Sequence, residues 1–549
     1  MSRRLLFFYC LTLLLFGCRK QHNQPTADKV FRYNQPESLT SLDPAYARNQ
    51  GNIWAVTQLY NGLVELDQQL KPAPAIARSW EISPDGKKYV FHLRTDVYFH
   101  DHPVFLQGKG RQVTAADFVY SFKRILEPKT ASTGSWIFKG KVLEDIKVQV
   151  SDTCFKALND STLLVYLKDP FIPFLGILSM PYAYVVPREG VEKYGKDFRS
   201  NPIGTGPFRF KLWDEENAII LHKNKRYWKK DQQGNSLPYL DAVQITFIND
   251  RKLEFLTFLQ GKIDFLSGVK GSSKDLIFNP DGTVQSDFAG KFRVQKMPYL
   301  DTEYIGFQLD PKNLTDYNKA LQDKRVRQAL NYALNKKGLV AYYRNNLGIP
   351  GHSGIVPPPL PSFNNKVVKG YSYQPEKARK LLQDAGYDAQ DPLRLRLNTV
   401  AEHKEIAEFM QKNWAEVGVQ VDINISQFPA HQEAVDNGRS AFFMKSWFGD
   451  YPDAENFLAL FYSPNFSPAG PNKTHFKNST FDRLYEQARL EQDEQKRYAL
   501  YQAMDKIVVE ESPVIILFYD EVIRLTQNNI TGLQADAMNN LKLETVNKS

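Results

Sequence analysis

A strand–helix–strand run in the second half of the chain limits the fold more than any other feature. Residues 393–397 alternate leucine with arginine, as a half-buried strand does, and residues 419–425 alternate apolar and polar side chains again. Between them, residues 402–417 carry apolar side chains at helical spacing, and Gly418 follows where a helix would end. Segments of these lengths predict a βαβ unit with parallel strands and a right-handed crossover. The chain therefore contains a domain of the α/β class.

Two further helices are predicted beside this unit. We expect one over residues 375–386, which starts with proline and ends at glycine. We expect a longer one over residues 324–344. Its buried stripe would consist of Val326, Leu330, Leu334 and Leu339.

Strand patterns dominate the first third of the chain and return near its end. Residues 87–93 alternate after the turn sequence at 83–86, which predicts a β-hairpin. Residues 514–519 form a continuous apolar run, which is typical of a strand buried on both faces. The body of the chain is therefore a mixture of α and β structure.

The first eighteen residues resemble an export signal. A basic start is followed by an apolar stretch over residues 5–16, which is too short to span a bilayer because a spanning helix needs about 20 residues. Gly17 and Cys18 resemble the lipobox of bacterial lipoproteins, which implies a signal peptide over residues 1–18 and a lipid on Cys18. Residues 19–29 would then form a polar tether to the membrane. The alternative is an ordinary signal peptide that is cut nearby and releases a soluble exported protein.

Charge and cysteine content exclude two classes of protein. The net charge of +9 is spread along the 549 residues with no basic run of five or six, so we expect no nucleic-acid partner. Outside the signal, Cys154 is alone, so no internal disulfide is possible and the core must supply the stability.

Catalytic and cofactor motifs are missing from the sequence. There is no phosphate-binding loop and no Gly-x-Ser-x-Gly elbow, and the third glycine of a dinucleotide fingerprint is absent after residues 204–206. His100 and His102 flank Asp101, but Pro103 follows and no partner set is near, so we expect a surface loop there rather than a metal site. The sequence predicts no enzyme, no cofactor and no metal.

A segment near residue 450 has the composition of a binding site. Trp447 and Asp450 lie three residues apart, and Gly449 and Pro452 break the segment, which predicts a turn that presents side chains rather than a packed element. An indole beside a carboxylate suits a ligand with a cationic end and an apolar body, such as a free peptide with its α-ammonium. The alternative is an ordinary loop in which Asp450 is a turn former.

Six ordered blocks resemble the solute-binding proteins of ABC importers, in the oligopeptide- and dipeptide-binding family (family 5). The blocks are SLDP at 41–44, PAIARSW with SPDG and FHLR at 74–94, VYFHD with VTAADFVYS at 97–121, NPIGTGPF at 201–208, LPYLD at 237–241 and KRVRQAL at 324–330. The resemblance extends from about Phe31 to about Leu525. Two departures are an insertion at residues 108–111 and the basic and amide residues at 48–50, where some oligopeptide binders have an acidic residue.

This resemblance implies an α/β fold of two lobes joined by a hinge, with an extra β-rich subdomain. Lobe I would be discontinuous, formed by residues 30–58, 203–298 and 513–549. Subdomain II would be inserted at 59–202, and lobe III would span 299–512. The chain would cross between the lobes near Leu300 and near Pro513, which permits closure around a ligand.

The resemblance also implies a function and a set of site residues. The protein would be a monomer outside the cytoplasmic membrane, periplasmic or at the cell surface, that captures short peptides and delivers them to the permease of an ABC importer. Asp450 would receive the peptide ammonium, Trp447 would flank the ligand, and Phe448 would offer backbone groups. The remaining candidates are Tyr519, Asn49 and, for the ligand carboxylate, Arg48, Arg439 and Lys445.

Other functions remain open at this level. The same scaffold could bind a nickel chelate, an oligosaccharide or another amine, although Asp450 favours amines over neutral sugars. A secreted hydrolase or transferase on a two-lobed fold is the alternative from another class.

Overall fold

The computed structural model describes residues 29–143, 154–269, 272–313 and 318–549. The predicted signal, the lipidation site Cys18 and all but the last residue of the predicted tether lie outside the described residues. Among the described residues, no helix combines the length and the apolar character that a membrane crossing requires.

The described chain contains both strands and helices. The strands are β1 (Val30–Asn34), β2 (Val64–Leu66), β3 (Pro72–Pro74), β4 (Ala77–Ile82), β5 (Lys88–Leu93), β6 (Phe155–Asn159), β7 (Thr162–Tyr166), β8 (Phe208–Asp214), β9 (Ala218–Lys223), β10 (Ala242–Thr246), β11 (Phe265–Ser267), β12 (Phe292–Phe307), β13 (Ile349–Pro350), β14 (Arg394–Val400), β15 (Gln420–Ser426), β16 (Phe442–Phe448), β17 (Val514–Gln527), β18 (Ile530–Thr531) and β19 (Asn547–Lys548). The α-helices are Gln50–Leu59, Ala115–Leu126, Phe174–Leu178, Arg188–Tyr194, Arg251–Leu259, Ser272–Ile277, Lys324–Tyr332, Lys336–Arg344, Pro375–Asp384, Lys404–Ala415, Phe428–Asp436, Ala454–Leu458, Ser479–Leu490 and Glu494–Glu511.

One mixed sheet extends through the molecule. Within the described residues it has eleven strands in the order β15-β14-β16-β12-β17-β11-β1-β10-β9-β8, with β13 added on β17. β14 and β15 pair in parallel, from Arg394 opposite Gln420 to Val400 opposite Ser426, and the helix Lys404–Ala415 connects them. The predicted strand–helix–strand unit and its parallel pairing are therefore confirmed.

Two long antiparallel strands join the halves of this sheet. β12 pairs with β17 over Phe292–Pro298 and again from Thr302 to Gly306, and the register shifts between Pro298 and Thr302. The apolar run predicted as a buried strand is the first part of β17, where Val514 to Tyr519 are all buried. The strand is longer than predicted because pairing with β12 and β11 continues it to Gln527.

A second, smaller antiparallel sheet has the strand order β4-β5-β7-β6. β4 and β5 form the hairpin predicted from the turn at residues 83–86. Aromatic side chains of this sheet and the helix beside it, such as Phe91 and Phe122, share one buried core with Phe31 and Tyr33 of β1. This common core fixes the small sheet to the large one.

The helix predicted over residues 324–344 is two helices, Lys324–Tyr332 and Lys336–Arg344. Asn335 separates them, because its side chain accepts a hydrogen bond from the Gly338 N–H at 2.9 Å and caps the second helix. Its own N–H donates to Asn413 Oδ1 at 2.9 Å, which satisfies the backbone at the break. The predicted stripe of Val326, Leu330, Leu334 and Leu339 is fully buried all the same.

The glycine-rich segment at 204–206 packs against the end of the helix Gln50–Leu59. Gly206 N–H donates to the Leu59 carbonyl at 2.9 Å, and a Cβ on Gly204 would lie only 2.0 Å from that oxygen. His100 lies beside this contact with its Nε2 3.0 Å from the Gly206 carbonyl. Residues 100–103 form the predicted loop and Asp101 in it is exposed, but this contact buries the ring of His100.

Candidate functional site

A cavity of about 710 Å³ lies between the first half of the chain and the end of β16. Its walls come from the helix Gln50–Leu59 and the loop before it, from β2, from residues 179–184, from residues 448–450 and from the C-terminal residues 538–544. Cavities of this size enclose small organic ligands. The residues that line the cavity are far apart in the sequence. The cavity therefore forms only when the chain folds.

Trp447 and Phe448 occupy the end of a strand, which corrects the prediction of a turn beginning at Trp447. They pair with Thr302 and Asp301 of β12, and the Gly449 N–H donates to the Leu300 carbonyl at 2.8 Å. Successive side chains of a strand point to opposite faces. Phe448 accordingly lines the large cavity with 45% of its surface exposed, whereas Trp447 lines a second space.

This second compartment has a volume of about 420 Å³ and adjoins the cavity, because Trp136 and Asp450 line both. The residues that line this compartment include Trp136, Lys139, Lys141, Phe171, Trp447, Asp450, Glu455, Asn456 and Arg489. The two spaces together form one branched site with Asp450 at the branch.

The carboxylate of Asp450 is open to the cavity but surrounded by protein atoms. This desolvation raises the pKa of Asp450 to about 6, and a hydrogen bond from the Asn456 side chain opposes the rise. At neutral pH the group is thus mostly ionised, and its side chain is exposed to the cavity. A carboxylate in this state gains from an incoming cation.

Asn456 positions both side chains of the predicted motif. Its Oδ1 accepts from the Trp447 indole N–H at 2.9 Å and from the Asp450 backbone N–H at 3.1 Å, and its Nδ2 lies 3.5 Å from Asp450 Oδ2. Asp453 begins the helix that carries Asn456, since its side chain accepts from the Glu455 N–H at 2.8 Å. The sequence analysis did not identify Asn456 as a site residue. The only sign in the sequence is that Asn456 follows Asp450 by six residues.

Arg48 and Asn49 also line the large cavity. Asn49 caps the helix Gln50–Leu59 by accepting from the Asn52 N–H at 2.9 Å. Among the described residues, no carboxylate forms an ion pair with Arg48. Burial raises the pKa of Tyr182, and Asp450 and Arg48 act on that pKa in opposite directions. The carboxylate of Asp450 and the guanidinium of Arg48 therefore both lie near Tyr182.

The other three candidates line neither space. Tyr519 is buried in the sheet, and its hydroxyl donates to the Gly354 carbonyl at 2.6 Å. Arg439 forms an exposed ion pair with Glu433 at 2.6 Å. Lys445 donates to the side chain of Gln432, and burial lowers the pKa of its ammonium to about 8.

A charge cluster that the sequence did not reveal lies at the wall of the cavity, which Glu65 and Glu544 line. Lys229 Nζ donates to Glu65 Oε2 at 2.6 Å and to Glu544 Oε1 at 2.8 Å, and the Tyr227 hydroxyl donates to Glu544 Oε2 at 2.7 Å. Lys229 and Glu544 are 315 residues apart, so no local pattern predicts the cluster. Across the parts of the chain that the structure describes, no group of three or more His, Cys, Asp or Glu side chains could hold a metal ion.

Comparison with known proteins identifies the family of this chain. Residues 71–468 match the model of bacterial extracellular solute-binding proteins, family 5. The dipeptide-binding protein of Escherichia coli is 28% identical over 506 residues, covering 89% of this chain and 88% of the relative, and heme-binding protein A of Haemophilus influenzae is 29% identical over 475 residues, covering 83% and 81%. The solved structure of DppA from Helicobacter pylori in complex with the peptide STSA superposes with a TM-score of 0.76 at 24% identity, covering 94% of this chain and 98% of that one.

The chain belongs to family 5 of the bacterial extracellular solute-binding proteins. The predicted family and the predicted α/β fold of two lobes are confirmed. The relatives described here are binding proteins.

Proposed function

We propose that this protein captures short peptides with a free amino end and delivers them to the permease of an ABC importer. It would act as a monomer held at the membrane by a lipid on Cys18. The observation that carries the proposal is the position of the Asp450 carboxylate, which lines both spaces and which Asn456 holds at the branch of the cavity. An α-ammonium supplies the missing counter-charge. The dipeptide-binding relative and the peptide-bound neighbour support this choice of ligand.

The backbone of the peptide would add to the free edge of β16. β14 pairs with β16 at a single position, Asn398 opposite Phe443, so no described strand covers that edge beside Trp447 and Phe448. Pairing by main-chain groups gives affinity that does not depend on the peptide sequence. Trp447 and Trp136 would supply flat apolar walls that accept varied side chains.

Arg48 is the best placed of the three candidates for the ligand carboxylate. It lines the large cavity, whereas Arg439 and Lys445 do not. It also has no ion-pair partner among the described residues, so a carboxylate would be its first counter-charge. This assignment predicts a ligand short enough for its two ends to lie in one cavity.

We infer the division into lobes from the two long strands. Lobe I would consist of residues 30–58, 203–298 and the C-terminal segment, with subdomain II at 59–202 and lobe III from 299 onward. The register shift between Pro298 and Thr302 supports a crossing near Leu300. β17 begins at Val514, directly after Pro513, and its register with β12 shifts between Tyr519 and Glu521, where its other edge passes from β13 to β11. This supports a second crossing near Asp520 rather than at Pro513.

Calorimetry with matched ligands tests the function. We expect tri-alanine to bind and N-acetyl-tri-alanine to bind at least about tenfold more weakly, because acetylation removes the cation that Asp450 meets. Heme is the alternative ligand to include, because a family relative is named as a heme-binding protein. Binding of heme without binding of any peptide would overturn the proposal. Mass spectrometry of the incubated peptide checks that it stays intact, as a binding protein requires.

A further inference from the structure

The second compartment concentrates basic side chains. Lys139, Lys141 and Arg489 reach its wall, and the last two come from distant parts of the chain. Lys141 Nζ and Arg489 Cζ each lie 5.7 Å from the centre of the Phe171 ring. Two cations therefore converge on one aromatic ring beside the branch of the site.

One protein carboxylate, that of Glu455, acts on this cluster through space. Within the described residues, none of the three basic side chains forms an ion pair with a carboxylate. Lys141 Nζ donates to the Trp136 carbonyl at 2.9 Å, which leaves other donors available. Burial lowers the pKa of Lys141, and Arg489 lowers it further, while Glu455 acts in the opposite direction.

Two acidic residues, Glu455 and Asp450, also line the second compartment. Glu455 already accepts hydrogen bonds, and Asp450 has a role in the proposed function. The hydroxyls of Tyr451 and Tyr485 both donate to Glu455. Asp450 would hold the ligand ammonium. A peptide anchored in this way has its first side chain within reach of the second compartment, because Asp450 lines that compartment and the side chain and the ammonium are attached to the same carbon atom.

We propose that the second compartment selects peptides whose first residue is acidic, with the side-chain carboxylate paired to Lys141 and Arg489. Charge-assisted hydrogen bonds of this kind are about twice as strong as neutral ones. The inference rests on the proposed function, because Asp450 must hold the ammonium at the branch. It names a substrate class within the peptides: those that begin with glutamate or aspartate.

The test measures the affinities of Glu-Ala-Ala, Gln-Ala-Ala, Ala-Ala-Glu and Ala-Ala-Gln by calorimetry. We expect the wild-type protein to bind Glu-Ala-Ala about tenfold more tightly than Gln-Ala-Ala, a difference of about 1.4 kcal/mol. Ala-Ala-Glu should show no such advantage over Ala-Ala-Gln, because its extra carboxylate is at the wrong end. Equal affinities for the first two peptides would overturn the inference and leave the proposed function intact, whereas no binding of any peptide would overturn both.

Variants then assign the preference to the compartment. Arg489→Gln should reduce the Glu-to-Gln ratio to about threefold or less. Circular dichroism checks that the variant is folded. Arg489→Lys should keep most of the ratio. Arg483→Gln is the matched control, since Arg483 lies exposed on the same helix, Ser479–Leu490, and lines neither space. If Arg489→Gln instead weakens tri-alanine but not its C-terminal amide, the compartment holds the terminal carboxylate and the inference fails.

Discussion

The carboxylate of Asp450 is the group whose removal tests the site most directly. Asp450→Asn removes the charge and retains a side chain of the same shape beside Asn456. Breaking a buried ion pair costs about 3–5 kcal/mol, and an exposed pair is worth about 0–1 kcal/mol. Asp450 is open to the cavity in the free protein and is covered once a peptide binds. We therefore expect a loss of about 2–4 kcal/mol, roughly a 30- to 900-fold weaker affinity for tri-alanine.

The same carboxylate gives the binding a pH dependence of known sign. Its pKa of about 6 in the free protein must fall when an ammonium arrives, because the cation favours the ionised form. Affinity is therefore greatest above this pKa and declines as the pH falls through it. About nine tenths of the group is ionised at pH 7 and about one tenth at pH 5, so affinity should drop about tenfold between these values. The peptide termini keep their charges over this range.

Calorimetry at pH 7, 6 and 5 measures both effects. At pH 6, two buffers of different ionisation enthalpy should reveal the proton released on binding. Asp450→Asn should bind weakly at every pH and release no proton. Circular dichroism checks that the variant is folded, and removal of a desolvated carboxylate should not lower its stability at pH 7. Wild-type affinity that is the same at pH 5 and pH 7, together with unchanged affinity of the variant, would refute the reasoning.

Two further substitutions test the support of the site and of the fold. Asn456→Ala should weaken tri-alanine binding about 5- to 30-fold, because about 1–2 kcal/mol of hydrogen bonding that positions Asp450 is lost; calorimetry showing full affinity would contradict this role. Gly204→Ala should lower the melting temperature, because the new Cβ would lie 2.0 Å from the Leu59 carbonyl oxygen and the backbone must move. Gly176→Ala is its control, since the nearest atoms lie 3.8 Å from the added Cβ, and equal melting temperatures for the two variants would disprove the steric argument.

Patterns over a few residues were sufficient to predict several of the helices and strands. β14, β15 and the helix between them were predictable because the spacing of apolar residues follows the period of the element that buries them. The helix over 324–344 was predicted as one piece because its apolar stripe continues across the break. The capping of the second helix by Asn335 depends on where that side chain points, which the apolar periodicity does not record.

The end of β16 shows where local signals give the wrong boundary. Gly449 and Pro452 indicate a turn, and a turn does follow, but the strand includes Trp447 and Phe448. Their partners on β12 are 145 and 147 residues away, and the pairing with that strand decides where the element ends. The face that each side chain presents follows from this pairing.

The sequence by itself determined the family, the α/β class and the acidic residue Asp450 beside an indole. Only the tertiary structure decided that Asp450 lies between two spaces, that Arg48 shares one of them, and that Lys141 and Arg489 meet in the other. The physical reason is that electrostatic interactions act across space. Groups separated by some 350 residues along the chain can lie over the same ring, and only the folded structure brings them there.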